Sequence, residues 1–283
     1  MISGLSDLDD PVVALLQGWL PGAVLERDHS WPLGQRHVFE VRHEESLYAV
    51  KVGGPQDHHM AREIRAHHEW AEPWAALGRG PSMIGSDLDL GVVVTRWLPG
   101  RLVEGGDTAA DPDSFRQAGE LLALFHGQLS VVATDHERRE TDRALSWLDR
   151  PHRIDGHTEA RLRDELWTWD VDVTTTLCPT HGDWQPRNWL VHEGVVSVID
   201  LGRVDLRPAA TDFVRLAAQD FASDPALEKA FFSGYGDDPR EEWSWRRMRL
   251  REAIGTATWA FQHGDEAFEQ QGHHMIAEAL GSL

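Results

Sequence analysis

The chain of 283 residues is 41% hydrophobic, long enough for one large domain or two lobes, each with its own core. Its formal charge of −20 argues against nucleic acid as a partner, because binding a phosphate backbone needs a basic surface. It suits either a cationic ligand or an acidic surface kept for solubility. One cysteine, Cys178, excludes an internal disulfide and a cysteine-cluster zinc site, and no apolar run is long enough to span a bilayer.

Met1 to Pro11 is acidic and unlike a signal sequence, so the expected location is the cytoplasm. Asp10-Pro11 opens a predicted helix with Val12, Val13, Leu16, Trp19 and Leu20 at helical spacing, stopped by Pro21-Gly22. Residues 36–41 and 47–52 read as strands joined by a polar turn, the second ending at Gly53-Gly54. The loop before them, Ser30 to Gln35, holds one glycine, Gly34. Lys51 is the only lysine in the first half of the chain and lies in an apolar strand. There it either needs a buried partner or snorkels from a sheet edge.

Residues 57–74 read as one helix carrying Glu63 and, on another face, Glu69. His59, Glu63 and His67 share a face with metal-ligand spacing, although neighbouring His58 and His68 suit a histidine-rich surface equally. Gly91 to Gly100 reads as a buried strand and a turn, after which the pattern becomes helical. Asp111-Pro112 caps a helix with Phe115, Ala118, Leu121, Leu122, Phe125 and Leu129 on one face, where His126 reads as structural. Residues 131–156 are charged and poorly periodic, and the expectation there is an insert or mobile segment. A helix is expected over 158–169.

The stretch from Thr180 to Gly202 carries the chemistry. His181-Gly182-Asp183 is followed by Asn188 five positions after the aspartate, and by Asp200 opening Asp-Leu-Gly after an apolar run. Residues 189–191 and 195–199 read as a hairpin turning at 192–194, which sets Asn188 and Asp200 side by side. This is the spacing of a kinase catalytic loop. Phosphoryl transfer needs a base for the acceptor hydroxyl and magnesium held by an asparagine and an aspartate. Asp183 is therefore the candidate base, with Asn188 and Asp200 the candidate metal ligands. Cys178, three residues before His181, admits a Cys-His nucleophile reading but fits a buried thiol better.

His-Gly-Asp-x-x-x-x-Asn followed by Ile-Asp-x-Gly resembles the aminoglycoside phosphotransferase and choline kinase-like family, in which Gly182 stands where ordinary protein kinases have Arg. The resemblance implies an α+β, protein kinase-like two-lobe fold. Residues 1–96 would form an antiparallel-sheet N-lobe that binds the nucleotide, and 97–283 a mainly helical C-lobe holding the catalytic loop and the acceptor. By the same resemblance Lys51 binds the phosphates of ATP or GTP, held by Glu63 with Glu69 in reserve. Ser30 and Gly34 belong to the nucleotide loop, or to a plain hairpin lead-in; Arg96 to Leu98 form the hinge, and Asp212 braces the catalytic loop. The cofactors implied are ATP or GTP and Mg2+.

The short stretch 202–208 points to a small acceptor rather than a protein. Helices are expected over 212–221, 225–235, 239–262 and 266–280. Among them Glu241, Glu242, Glu252, Asp265, Glu266 and Glu269, with Trp243, Trp245 and Trp259, are either solvated and core residues or contacts for substrate amines. The function expected is phosphorylation of a hydroxyl on a small cationic antibiotic, an aminoglycoside or basic peptide, conferring resistance. The alternatives are a metabolic kinase for choline, homoserine or a sugar, and a non-catalytic nucleotide- or drug-binding module. The protein is expected to act as a monomer or homodimer, away from membranes.

Overall fold

The computed structural model describes residues 8–30, 36–54 and 57–281. The chain forms two compact units. One comprises Met1–Gln128, Pro179–Asp205 and Pro225–Gly236; the other comprises Leu129–Cys178, Leu206–Asp224 and Asp237–Leu283.

The first unit begins with helix α1 (Asp10–Trp19) and strands β1 (Val24–Asp28), β2 (His37–His43) and β3 (Ser46–Val52). Helices α2 (His58–Glu69) and α3 (Glu72–Ala76) and strands β4 (Met83–Asp87) and β5 (Val92–Arg96) follow. The five strands make an antiparallel sheet in the order β1-β2-β3-β5-β4. Strand alternation decides which side chain faces which helix. Tyr48, Val50, Val52, Val92 and Val94 pack with Val12 and Leu16 of α1 and with Leu20 just after it, while Val93 packs with Met60 and Ile64 of α2. Lys51 pairs with Val93 across the β3–β5 ladder and so shares the α2 side. The expected helix over 57–74 is in fact α2 and α3, because Pro73 cannot continue the i to i−4 ladder from Glu69.

Beyond the sheet come β6 (Arg101–Leu102) and α4 (Pro112–His126), the latter capped by the Asp111 side chain on the Asp113 and Ser114 amides. Its predicted face is buried at Phe115, Ala118, Leu121, Leu122 and Phe125, whereas Leu129 falls past the helix end and is exposed. In the second unit, β7 (Val131–Ala133), α5 (His136–Leu148) and α6 (Gly156–Thr168) lead to β8 (Thr175–Thr180), whose first residues pair with β7.

Within the stretch 131–156, read from the sequence as an insert or mobile segment, the chain has regular structure that the sequence did not show. Residues 136–148 are a 13-residue helix, hidden from periodicity because one of its inward residues is charged. Glu137 is buried and receives Arg251 Nη2 at 2.6 Å and Arg247 Nη1 at 3.2 Å.

In the first unit, β9 (Trp189–His192) and β10 (Val195–Val198) form the predicted hairpin, turning at Glu193-Gly194 with both φ values positive. Strand β11 (Asp205–Arg207) and a 3-10 turn, Ala209–Phe213, come next. The helix expected over 212–221 is divided into α7 (Val214–Ala218) and α8 (Asp220–Ser223), because Gln219 leaves the helical region at ψ −82°. Helix α9 (Pro225–Tyr235) belongs to the first unit and packs on α4. Helices α10 (Glu242–His263) and α11 (Glu266–Gly281) complete the second, whose core joins Leu250, Ile254, Ile276 and Leu280 to Leu162 and Leu166 of α6. Among the described residues no helix is long and apolar enough to cross a membrane.

Candidate active site

Lys51, Glu63, Asp183, Asn188 and Asp200 all belong to the first unit. Lys51 Nζ lies 2.6 Å from Glu63 Oε1 and 3.3 Å from Asp200 Oδ1. Burial works against its charge, but Glu63 and Asp200 outweigh burial and raise the ammonium pKa above its ordinary value. Lys51 in turn holds the Asp200 carboxyl well below the usual carboxylate range, while burial pushes Glu63 up. A lysine snorkelling from a sheet edge does not describe this arrangement, since β3 is internal to the sheet and Lys51 is ion-paired. Glu63, not Glu69, is the partner.

Asp200 sits at φ 66°, a left-handed backbone that costs a non-glycine residue strain, and the Gly202 amide reaches its Oδ1 at 3.4 Å. Helix α2 is tied to this segment by its side chains. His59 Nδ1 lies 2.9 Å from the Gly202 carbonyl, which can only accept, so Nδ1 carries the proton; Arg65 Nη2 meets Asp205 Oδ1 at 3.1 Å. Burial lowers the His59 pKa, in keeping with a neutral ring. The histidine face of α2 is thus divided among different tasks: His59 on Gly202, Glu63 on Lys51, and His67 buried.

The catalytic segment turns at Gly182, where φ is 77°, a conformation glycine adopts without steric cost. A 3-10 turn at Pro186–Asn188 then folds Asn188 back over Asp183. Asn188 Nδ2 donates to the Asp183 carbonyl at 2.8 Å and to Oδ2 at 3.1 Å, leaving its Oδ1 as an oxygen donor. The Ile199 amide donates to the Asn188 carbonyl at 3.0 Å, so the hairpin sets Asn188 beside the residue preceding Asp200, as its spacing predicts. His181 is buried and its Nε2 donates to the Ile199 carbonyl at 3.1 Å.

Sequence reasoning missed two residues here. Gln185 Nε2 donates to Asp183 Oδ1 at 2.6 Å, and Arg187 Nη2 reaches both carboxylate oxygens at 2.8 and 2.7 Å. The signal was weak: Asp183 and Arg187 are opposite charges four positions apart, a spacing that marks a pair on a helix but not in a turn.

Asn188 and Asp200 supply hard oxygen donors of the kind magnesium takes, and magnesium is commonly bound by one or two such groups together with substrate phosphates. The donor set therefore fits the ion.

The other candidates fall elsewhere. Ser30 Oγ accepts from the Val38 amide at 3.0 Å, while Gly34 lies outside the described residues, with the rest of 31–35. In the hinge stretch, the Arg96 amide donates to the Ser82 carbonyl and its guanidinium lies over Tyr48; Leu98 follows Trp97, whose amide donates to the Leu47 carbonyl. Asp212 is buried in the 3-10 turn and, after burial itself, helps to raise the Cys178 thiol. Among the acidic residues of the second unit, Glu252 pairs with Arg215 and Glu269 with Arg153, and Asp265 caps the Phe268 amide. The tryptophan rings are likewise occupied: Arg247 lies over Trp243, Arg240 over Trp245, and His263 stacks on Trp259.

Against known families, residues 31–251 match the model of the phosphotransferase enzyme family. The chain belongs to that family. Among solved structures it is similar to aminoglycoside phosphotransferase APH(4)-Ia in complex with ADP and hygromycin B, at 13% identity and TM-score 0.69 over 95% of this chain and 97% of that one. It is similar also to choline kinase LicA from Streptococcus pneumoniae, at 13% identity and TM-score 0.67 over 98% and 100%. A third is the macrolide 2'-phosphotransferase MphH from Brachybacterium faecium, at 15% identity and TM-score 0.58 over 94% and 97%. These likenesses establish the protein kinase-like fold that the sequence resemblance implied, with its antiparallel-sheet N-terminal part and helical C-terminal part. No curated protein matches the sequence.

Proposed function

We propose that this phosphotransferase moves the γ-phosphoryl group of ATP or GTP onto a hydroxyl of a small cationic molecule, with an aminoglycoside or basic peptide antibiotic as the leading acceptor and resistance as the outcome. The observation that carries the proposal is the Lys51 ammonium held between Glu63 and Asp200 in the same compact unit as the Asp183–Asn188 turn. Lys51 holds the nucleotide phosphates and Glu63 keeps the ammonium in place. Asn188 and Asp200 hold magnesium, which when bound neutralises phosphate charge. Arg96 to Leu98 serve the nucleobase and Ser30 the phosphates. The functional division is then residues 1–96 for the nucleotide and 97–283 for the loop and the acceptor.

Asp183 orients the acceptor hydroxyl and takes its proton. An ordinary carboxylate, with a pKa of about 4, is a weak base toward an alcohol, so the proton moves late, once the bond to the leaving nucleotide has largely broken. The charge of −20 supports a cationic acceptor. A metabolic acceptor such as choline, homoserine or a sugar is the second reading, supported by the likeness in fold to a choline kinase. The protein works in the cytoplasm, as a monomer or homodimer.

The test incubates the purified protein with Mg2+ and ATP or GTP and a panel of basic antibiotics, choline, homoserine and sugars, and reads products by mass. A phosphorylated antibiotic, with turnover lowered on the order of 10²-fold by Asp183→Ala at unchanged nucleotide affinity, is the expected result. Product on a metabolite alone moves the assignment to the second reading. Nucleotide binding without any product leaves the acceptor unidentified and revives the reading of a binding module, and near-normal turnover by Asp183→Ala removes Asp183 from the base role.

A further inference from the structure

The Asp183 carboxylate is fully engaged. Oδ1 accepts from Gln185 Nε2 at 2.6 Å and Arg187 Nη2 at 2.8 Å, and Oδ2 accepts from Arg187 Nη2 at 2.7 Å and Asn188 Nδ2 at 3.1 Å. Two carboxylate oxygens offer about four lone-pair positions, so an acceptor hydroxyl can reach this group only if one donor leaves. Gln185 and Asn188 are each 6% exposed and anchored within the turn. The Arg187 side chain is 41% exposed, and among the described residues it has Asp183 as its contact. It is therefore the donor able to move.

Arg187 is also the only lysine or arginine between Thr180 and Asp200. Phosphoryl transfer gains its rate from positive charge aimed at the equatorial phosphoryl oxygens, and Lys51, held by Glu63 and Asp200, already serves the phosphates that stay with the nucleotide. A base lies within about 3 Å of the hydroxyl it serves, and that hydroxyl within about 3.5 Å of the phosphorus. A guanidinium resting on Asp183 is thus one side-chain rotation from the group in transfer.

We propose that Arg187 exchanges partners during the reaction, leaving Asp183 for the oxygens of the transferring phosphoryl group, so that one residue covers the base at rest and stabilises the transition state. This rests on the phosphotransfer reading of the site. In the step, the bond from the γ-phosphorus to the bridging oxygen breaks and its electron pair leaves with the nucleoside diphosphate. The acceptor oxygen forms the new P–O bond, its proton passes to the uncovered Asp183 carboxylate, and the guanidinium meets the charge on the phosphoryl oxygens. Exchange also turns an ion pair into an open carboxylate facing the acceptor, which suits a cationic one.

The experiment titrates Mg·ADP, with and without aluminium fluoride as a mimic of the phosphoryl group in transfer, into the wild type, Arg187→Gln and Arg187→Lys, by calorimetry. The wild type is expected to bind Mg·ADP and to tighten when aluminium fluoride is added. Arg187→Gln should keep the Mg·ADP affinity and lose on the order of 10²-fold of the tightening, and Arg187→Lys should lose about tenfold. Equal tightening in wild type and variants, or none in any of them, overturns the proposal and leaves Arg187 a structural ion pair. Failure of the wild type to bind any of Mg·ADP, Mg·ATP, Mg·GDP and Mg·GTP overturns the phosphotransfer reading itself, and binding of the guanine nucleotides alone moves the titration to Mg·GDP. Should Arg187→Gln not fold, as judged by thermal melting, the Arg187→Lys comparison decides.

Discussion

His67 on α2 is buried, and burial, with Lys51 and His68 nearby, brings its pKa down from 6.5 to about 3. The folded protein therefore holds the ring neutral while the unfolded chain protonates it, so the unfolded state binds the extra proton between those values. Stability contributed by this residue is present above pH 6.5 and is lost as the pH falls toward 3, at up to about 1.4 kcal/mol per pH unit. Denaturant midpoints across that range should fall less steeply in His67→Phe than in the wild type; parallel curves would show that His67 is not the cause. Single residues were also where the sequence was most legible. Lys51, Glu63, Asp183, Asn188 and Asp200 are titratable or metal-binding types whose spacing stands out, and the structure groups Lys51 with Glu63 and Asp200, and Asp183 with Asn188. Cys178, its thiol pushed up to about 12 chiefly by burial, is no nucleophile. Arg187 escaped notice because a surface arginine in a turn carries no pattern until its partner is known.

At the scale of elements, α4 and α9 cross on two glycines. A Cβ on Gly119 would stand 2.2 Å from the Phe231 carbonyl oxygen, and one on Gly234 would stand 2.0 Å from that of Arg116. Gly234→Ala must therefore push the helices apart, at a cost of about 1–3 kcal/mol that exceeds what the residue gains as a helix former. Gly255 in α10 has nothing within 4 Å, so Gly255→Ala should leave stability unchanged or raise it by up to about 1 kcal/mol. Thermal unfolding of the two variants checks this; a Gly234→Ala protein as stable as the wild type would show that the crossing can relax. Helix α4 was legible because its buried residues are apolar and evenly spaced. Helix α5 was not, because its buried Glu137 is satisfied by two arginines more than a hundred positions away. Strand β1 escaped because four of its five residues are exposed, leaving no alternation to read.

At the scale of the whole molecule, a charge of −20 draws multiply charged cations from a distance, an attraction screened over about 10 Å at 0.1 M salt. The KM of a polycationic acceptor should therefore rise several-fold between 0.05 and 0.5 M salt, while that of an uncharged sugar should not move. Equal responses would assign the charge to solubility. The acceptor itself was not legible, because Glu252 and Glu269 are spent on Arg215 and Arg153 and no motif marks what else would meet a substrate. The unit that carries Lys51, Asp183 and Asp200 is assembled from three separated stretches, the last being Pro225–Gly236. On the ribosome, the sheet and α4 must wait for more than a hundred further residues, on the order of ten seconds of elongation, before α9 can close the glycine crossing. Until then the α4 surface around Gly119 lacks its α9 partner, although Trp74 can already stack on Phe125 of the same helix.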